Sequence, residues 1–235
     1  GSTREAFGWE EMCDVELPVP TLEKQKEIIK EYHTITDRIK LNEQLNQKLE
    51  DTAQSIYKEW FVNFEFPDEN GKPYKSNGGA MVYCDELDME IPIIMNVEPI
   101  SNLISVKDGT HDSPKPLDFG YPLVTSTHLE KYNILEKDAY CISGEDFIQV
   151  NKRSKVEQFD ILISMIGTVG NISYIKQKEI NFAIKNVGLF KTSEKKEFAN
   201  YILFYLKSPI FNDYLTSSLL GSTQSYITLT GLRSI

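Results

Sequence analysis

The pattern of apolar and polar positions changes character twice along the chain. From Leu22 to Phe61 there is no proline or glycine, and seam positions recur in alternating steps of three and four: Tyr32, Ile35, Ile39, Asn42, Asn46, Leu49, Ala53, Ile56 and Trp60, with Leu41 and Leu45 widening the stripe. That spacing predicts one long helix carrying heptads. Pro18 and Pro20 precede it and Thr21 is suited to cap it, although Lys24 is not a capping-box residue. Such a helix extends roughly 60 Å, too long for the core of a small domain. The expectation is a coiled-coil strut over residues 21–62 that needs a partner helix, meeting it through Tyr32, Ile35, Ile39, Asn42, Asn46, Leu49, Ile56 and Trp60. Asn at two seam positions weakens such a seam while fixing register or orientation.

Beyond the helix, alternating aromatics in Phe61-Val-Asn-Phe-Glu-Phe-Pro67 give way to turn residues as far as Gly79. Residues 63–94 read as an extended arm and linker. From about Asn102 short β-like runs follow: Leu103–Val106, Tyr121–Thr125, Phe147–Val150, Asp160–Ile166, Ile172–Ile175 and Val187–Lys191, divided by turns at Asp108-Gly109, Gly167 and Gly170. Helices are predicted from Glu197 to Leu206 and from Ile210 to about Leu219. Residues 95–235 therefore read as one globular domain, and the fold class as α+β. The ends of the chain resemble each other: Gly1-Ser2-Thr3 recurs as Gly221-Ser222-Thr223, and the same offset places Phe7 on Ile227, Met12 on Leu232 and Val15 on Ile235. Residues 1–20 then read as the tail of a preceding repeat. A Gly-Ser cloning scar is the other source of such a start.

Composition is that of a globular protein, with 40% hydrophobic and 26% charged residues. No apolar run reaches eighteen residues, so no membrane span is predicted, and no secretion signal is visible. Cys13, Cys84 and Cys141 are far apart, as are His33, His111 and His128. Reduced thiols, a cytoplasmic location and no zinc site are expected. A net charge of −10 opposes nucleic-acid binding until its distribution is considered. Residues 1–94 hold 10 Lys+Arg against 20 Asp+Glu, and residues 95–235 hold 15 of each. The second part is free to carry a basic face.

Signatures of catalysis are missing from the sequence. There is no GxGxxG, no GxxxxGK[ST] and no Asn/Asp-Pro-Pro-aromatic loop. Pro67-Asp68 with Glu69 and Lys72 has nuclease letters at the wrong spacing. Gly167-Thr-Val-Gly170 reads as a hairpin turn rather than a phosphate cradle.

Several segments, in order, resemble the type I restriction–modification specificity subunit family. They are Leu17-Pro-Val-Pro-Thr-Leu-Glu-Lys-Gln25, Trp60 to Pro67 with Gly71-Lys-Pro-Tyr-Lys75, Asp108-Gly-Thr-His111, Phe159-Asp-Ile-Leu-Ile-Ser164 with Gly167-Thr-Val-Gly170, and Gly221-Ser-Thr-Gln-Ser225. The resemblance implies a non-catalytic subunit with two target recognition domains held apart by two long antiparallel helices. Each domain reads one half of a split site in double-stranded DNA. The helices dock methyltransferase subunits, and a restriction subunit can join. S-adenosylmethionine, ATP and Mg belong to those partners, and no cofactor is expected on this chain. With one helix and one domain, the chain corresponds to half of such a subunit, an expressed fragment or a natural half that forms a homodimer. Two other classes stay open: the specificity part of a fused restriction–methylation enzyme, and a coiled-coil assembly protein without DNA binding.

DNA reading needs cations for phosphates and amides, hydroxyls or guanidinium groups for base edges. Lys152, Arg153 and Lys155 form the densest basic cluster of the second part, read as a turn before the strand at Ile161. Thr110 and His111 lie in a polar loop with Ser113 and Lys115. Ser164, Thr168, Lys185 and Asn186 interrupt apolar runs without a packing use. Ser222, Thr223, Gln224 and Ser225 offer four consecutive hydrogen-bonding side chains. These residues are the candidate DNA-binding set; the competing reading of each is a solvated loop, turn or cap.

Overall fold

The structure is a computed structural model that describes residues 8–130, 133–219 and 226–235. The chain divides into two units, one ending at Ala53 and one running from Gln54 to Ile235. The first holds a short helix α1 (Trp9–Cys13) and most of α2 (Leu22–Phe61), a single helix of 40 residues over the span that the heptads predict. Thr21 Oγ1 accepts from the Lys24 amide at 3.4 Å, so the expected cap is in place. The apolar seam residues Tyr32, Ile35, Ile39, Leu49, Ile56 and Trp60 lie open, from 41% exposed at Trp60 to 65% at Tyr32. Among the described residues no helix is long and apolar enough to cross a membrane.

In the second unit the last turns of α2 pack by aromatic contact: the ring of Tyr201 lies 5.8 Å from Tyr57 and 4.8 Å from Phe61. The stretch read as arm and linker contains a two-stranded antiparallel sheet, β1 (Met81–Cys84) and β2 (Met89–Pro92), over a small cluster of Phe64, Cys84 and Ile91.

The remaining elements in chain order are α3 (Ile100–Leu103), β3 (Val106–Asp108), β4 (Tyr121–Val124), β5 (Cys141–Ile142), α4 (Gly144–Ser154), β6 (Ile161–Ser164), β7 (Ile172–Tyr174), β8 (Ala183–Ile184), β9 (Val187–Phe190), α5 (Ala199–Leu206), α6 (Pro209–Leu219) and α7 (Leu229–Arg233). Strands β3, β9, β6 and β7, in that order, form an antiparallel sheet. A second sheet runs β5-β4-β8, with β4 and β8 parallel. Alternate residues of β6 serve two cores. Ile161 and Ile163 pack with Phe190, Leu206, Phe211 and Leu232, while Leu162 packs with Val124, Ile184 and Leu189. A strand covered on both faces reads as an unbroken apolar run, which is why Ile161-Leu-Ile is legible as a strand without polar alternation.

This mixed helix-and-strand architecture agrees with the α+β expectation. Two strand assignments are corrected. Phe147–Val150 lies inside α4, where Ser143 caps the helix by accepting from the Asp146 amide at 3.0 Å. Phe147 and Val150 then face one core at a three-residue spacing rather than alternating. Leu103–Val106 is not continuous: Ile100–Leu103 is a helical turn and the strand starts at Val106. The hairpin turn between β6 and β7 is as expected, with φ of 76° at Gly167 and 94° at Gly170.

Candidate nucleic-acid interface

Sheet register decides which loops share an end. Asp108 pairs with Gly188, Val187 with Ser164, and Ile163 with Ile172. The loop leaving β3, the β8–β9 connection and the β6–β7 hairpin therefore emerge together, and Ile166 bridges Tyr226 there too. Gly109 makes the junction possible. A Cβ at that position would lie 2.5 Å from the Ile184 carbonyl oxygen, a distance that excludes any side chain. With glycine, the Thr110 amide donates to Ile184 O at 3.0 Å and the Asn186 amide donates to Thr110 O at 3.2 Å. Asn186 adopts φ 54°, a left-handed conformation that Asn tolerates better than most residues.

Asp108 is the centre of this arrangement. Only 3% exposed, it accepts from the Arg153 guanidinium on one carboxylate oxygen, and the other lies 2.9 Å from His111 Nε2. His111 Nδ1 sits 2.7 Å from Asn186 Oδ1, and the Lys185 ammonium donates to Ser113 Oγ. The side chains of His111 and Arg153 remain more than half exposed. A buried anion thus holds two donors that face outward. Beside them, Thr110, Asp112 and Ser113 face Asp146, Gln149 and Arg153 of α4 across a concavity of about 310 Å³. Acidic residues in the first turn of α4 and Lys152 and Arg153 in its last turn each complement the helix dipole.

Candidates from four separate stretches thus meet at one end of the sheet: Thr110 and His111, Arg153, Thr168, and Lys185 with Asn186. Lys115 is exposed farther along the first loop. Thr168 is exposed on the hairpin. Lys152 and Arg153 end a helix instead of forming a turn. Lys152 donates to Gln149 at 2.9 Å, and Lys155, beyond the helix, is drawn to Glu157 at 3.3 Å. Ser164 is withdrawn from the candidate set. It is fully buried, with its hydroxyl donating to Thr168 O and accepting from the Asn171 amide at 2.8 Å, so it shapes the hairpin and cannot meet a base. Ser222, Thr223, Gln224 and Ser225 lie outside the described residues. Asp108 and Gln149 were missed. Asp108 read as half of an Asp-Gly turn, and Gln149 became visible only once its segment proved to be a helix.

Guanidinium, imidazole, ammonium and hydroxyl donors stand here among carboxylate and amide acceptors. Mixed donors and acceptors suit base edges, whereas a purely cationic surface suits phosphate alone. Both ring nitrogens of His111 are engaged by oxygen atoms, which fixes the orientation of the ring. Among the described residues no group of His, Cys, Asp and Glu could hold a metal ion. The arrangement is that of a half-exposed polar face on an α+β domain.

Residues 113–235 match the family described as the type I restriction modification DNA specificity domain, and the chain belongs to that family. It is 30% identical over 151 residues to the type I restriction enzyme MjaIX specificity subunit of Methanocaldococcus jannaschii, covering 63% of this chain and 31% of that protein. Over 57 residues it is 37% identical to the HindI specificity subunit of Haemophilus influenzae, covering 24% of this chain and 12% of that protein. The chain thus spans about a third or less of these relatives. The crystal structure of an HsdS subunit from Thermoanaerobacter tengcongensis aligns over 100% of this chain and 51% of its own, at 15% identity and a TM-score of 0.44.

Proposed function

We propose that this chain is a DNA sequence-reading module of a type I restriction–modification complex. It reads one half of a split double-stranded site with the sheet end built around Asp108, and catalysis belongs to its partners. The observation that carries this reading is the convergence of Thr110, His111, Arg153, Lys185 and Asn186, from three separate stretches, on one exposed polar face. The open seam of α2 supports a second role: pairing with an antiparallel helix of a second copy and docking methyltransferase subunits, with a restriction subunit joining the assembly. Membership in the specificity family supports both roles.

The test has two parts. Methylome sequencing of cells carrying the chain with its cognate methyltransferase is expected to yield a split motif with inverted identical halves. That motif then serves as the probe. Arg153→Ala is expected to weaken binding to it and to make the salt slope shallower by about one unit, the effect of one lost phosphate contact, or to relax preference at one base pair. If Arg153→Ala matches the parent in affinity, slope and base preference, the face around Asp108 is not where DNA binds.

A further inference from the structure

Arg153 is a cation anchored at both ends. Its backbone stands in the last turn of α4, whose inner side packs Phe147 and Val150 against Leu123, Ile142 and Ala183. Its far end is fixed as well: Nη2 donates to Oδ1 of the buried Asp108, while His111 Nε2 occupies the other carboxylate oxygen at 2.9 Å. The side chain is nevertheless 55% exposed, and among the described residues its other N–H groups meet no acceptor.

The electrostatics of this anchorage decide what the guanidinium can serve. A phosphate contact works through charge, by neutralising an anion and releasing its counterions. Here the charge is already balanced by Asp108, and Asp112 and Asp146 line the same concavity as Arg153, so three carboxylates surround one guanidinium. The site is net anionic and repels a phosphate oxygen. What the anchorage preserves is direction. A planar guanidinium held at one N–H presents the others as a fixed fork, with little freedom left to lose on binding. That fork matches two acceptors side by side on an uncharged edge. In the major groove guanine alone offers such a pair, N7 and O6, and its cytosine partner adds an amino group that a carboxylate can accept. The neighbouring Lys152 is different: it donates to the uncharged Gln149 at 2.9 Å and, among the described residues, has no carboxylate partner. Its charge is available to a phosphate.

We infer that Arg153 is a base-reading residue that recognises one guanine of the half-site in the major groove, with Asp108 as the positioning residue behind it, whereas Lys152 holds the DNA backbone. The assignment rests on the reading of this face as the one that meets DNA, and goes further by naming the base.

The test uses the full chain with its cognate methyltransferase and a duplex carrying the motif read from the methylome, with each base pair replaced in turn. The parent is expected to lose about 10- to 100-fold in affinity when one particular G·C pair is replaced, and at least about 5-fold when the guanine of that pair becomes 7-deazaguanine, which lacks only the N7 acceptor. Arg153→Lys keeps a cation beside Asp108, so the buried carboxylate is not left bare. It is expected to cut discrimination at that pair below about 3-fold, to keep it at every other pair, and to leave the salt slope within roughly 0.3 unit of the parent's. Lys152→Ala is expected to do the reverse, making the slope shallower by about one unit with every base preference kept. If Arg153→Lys retains full discrimination, relaxes an A·T pair instead or flattens the slope, the assignment is overturned while the DNA reading stands. Relaxation of the same G·C pair by Lys152→Ala overturns it too. A parent that discriminates at no base pair sinks the DNA reading and the assignment together.

Discussion

A single buried lysine shows how much of this fold rests on individual polar contacts. Lys191, at the end of β9, places its ammonium 2.6 Å from Asp160, 2.8 Å from Glu157 and 3.1 Å from the Lys155 carbonyl oxygen. Asp160 is fully buried and also accepts the amides of Glu157 and Ser193. Lys191→Met removes the cation and leaves that carboxylate without its charge partner, which is expected to cost about 3–5 kcal/mol in urea denaturation, the penalty of a broken buried pair. A loss below 1 kcal/mol would show that Asp160 is satisfied by its amides alone. The hydrogen bond from Lys191 also holds the Glu157 carboxyl below the usual range. A lowered carboxyl contributes stability above its unfolded value, and that contribution fades as pH falls through the folded one. Glu157 is half exposed, so its share is small. None of this was legible in the sequence, where Lys191 merely closes an apolar run.

Among the elements, the foot of α2 carries the clearest pH signature. Tyr57, Tyr201 and Tyr205 all have raised phenol pKa values, chiefly because burial disfavours the phenolate; that of Tyr205 is pushed from 10.0 up to about 12. A group whose pKa is raised on folding contributes fully below its unfolded value and loses that contribution as pH rises through the folded one. Stability is therefore expected to fall between pH 10 and about 12, and Tyr205→Phe to lessen the fall. Melting curves across that window, read alongside tyrosinate absorbance, check it; identical alkaline profiles for parent and variant would remove Tyr205 from the account. Among sequence signals, those with long periods fared best. Forty residues without a breaker fixed α2, whereas the four residues Phe147–Val150 suit either a strand or a helix, and the cap at Ser143 decided for helix.

Across the whole molecule the exposed seam of α2 is the main unsolved surface, and on the proposed reading a second helix covers it. Replacing Ile35, Ile39 and Leu49 together by Ser is expected to weaken self-association by at least about 100-fold in sedimentation equilibrium, since each buried aliphatic side chain contributes roughly 1.5–3 kcal/mol. A parent chain that stays monomeric at high concentration would remove the homodimer. The helices and strands and the polar face around Asp108 were not equally legible in the sequence. The helix, the fold class and most strands follow from periodicity, because a stripe or a run is local. The polar residues around Asp108 could be nominated, since they interrupt apolar runs, but their meeting could not be foreseen. It depends on antiparallel register and on the absence of one Cβ at Gly109, neither of which spacing records.

That missing Cβ has a consequence for how such a face can change. Because residues 108–110 are stitched to residues 184–187 by main-chain atoms, the scaffold beneath this loop does not depend on the side chains at Asp112, Pro114 and Lys115. On the proposed reading, preference for one set of bases over another can drift at the tip while the frame stays constant, so diversification of target costs the fold little so long as Gly109 is kept.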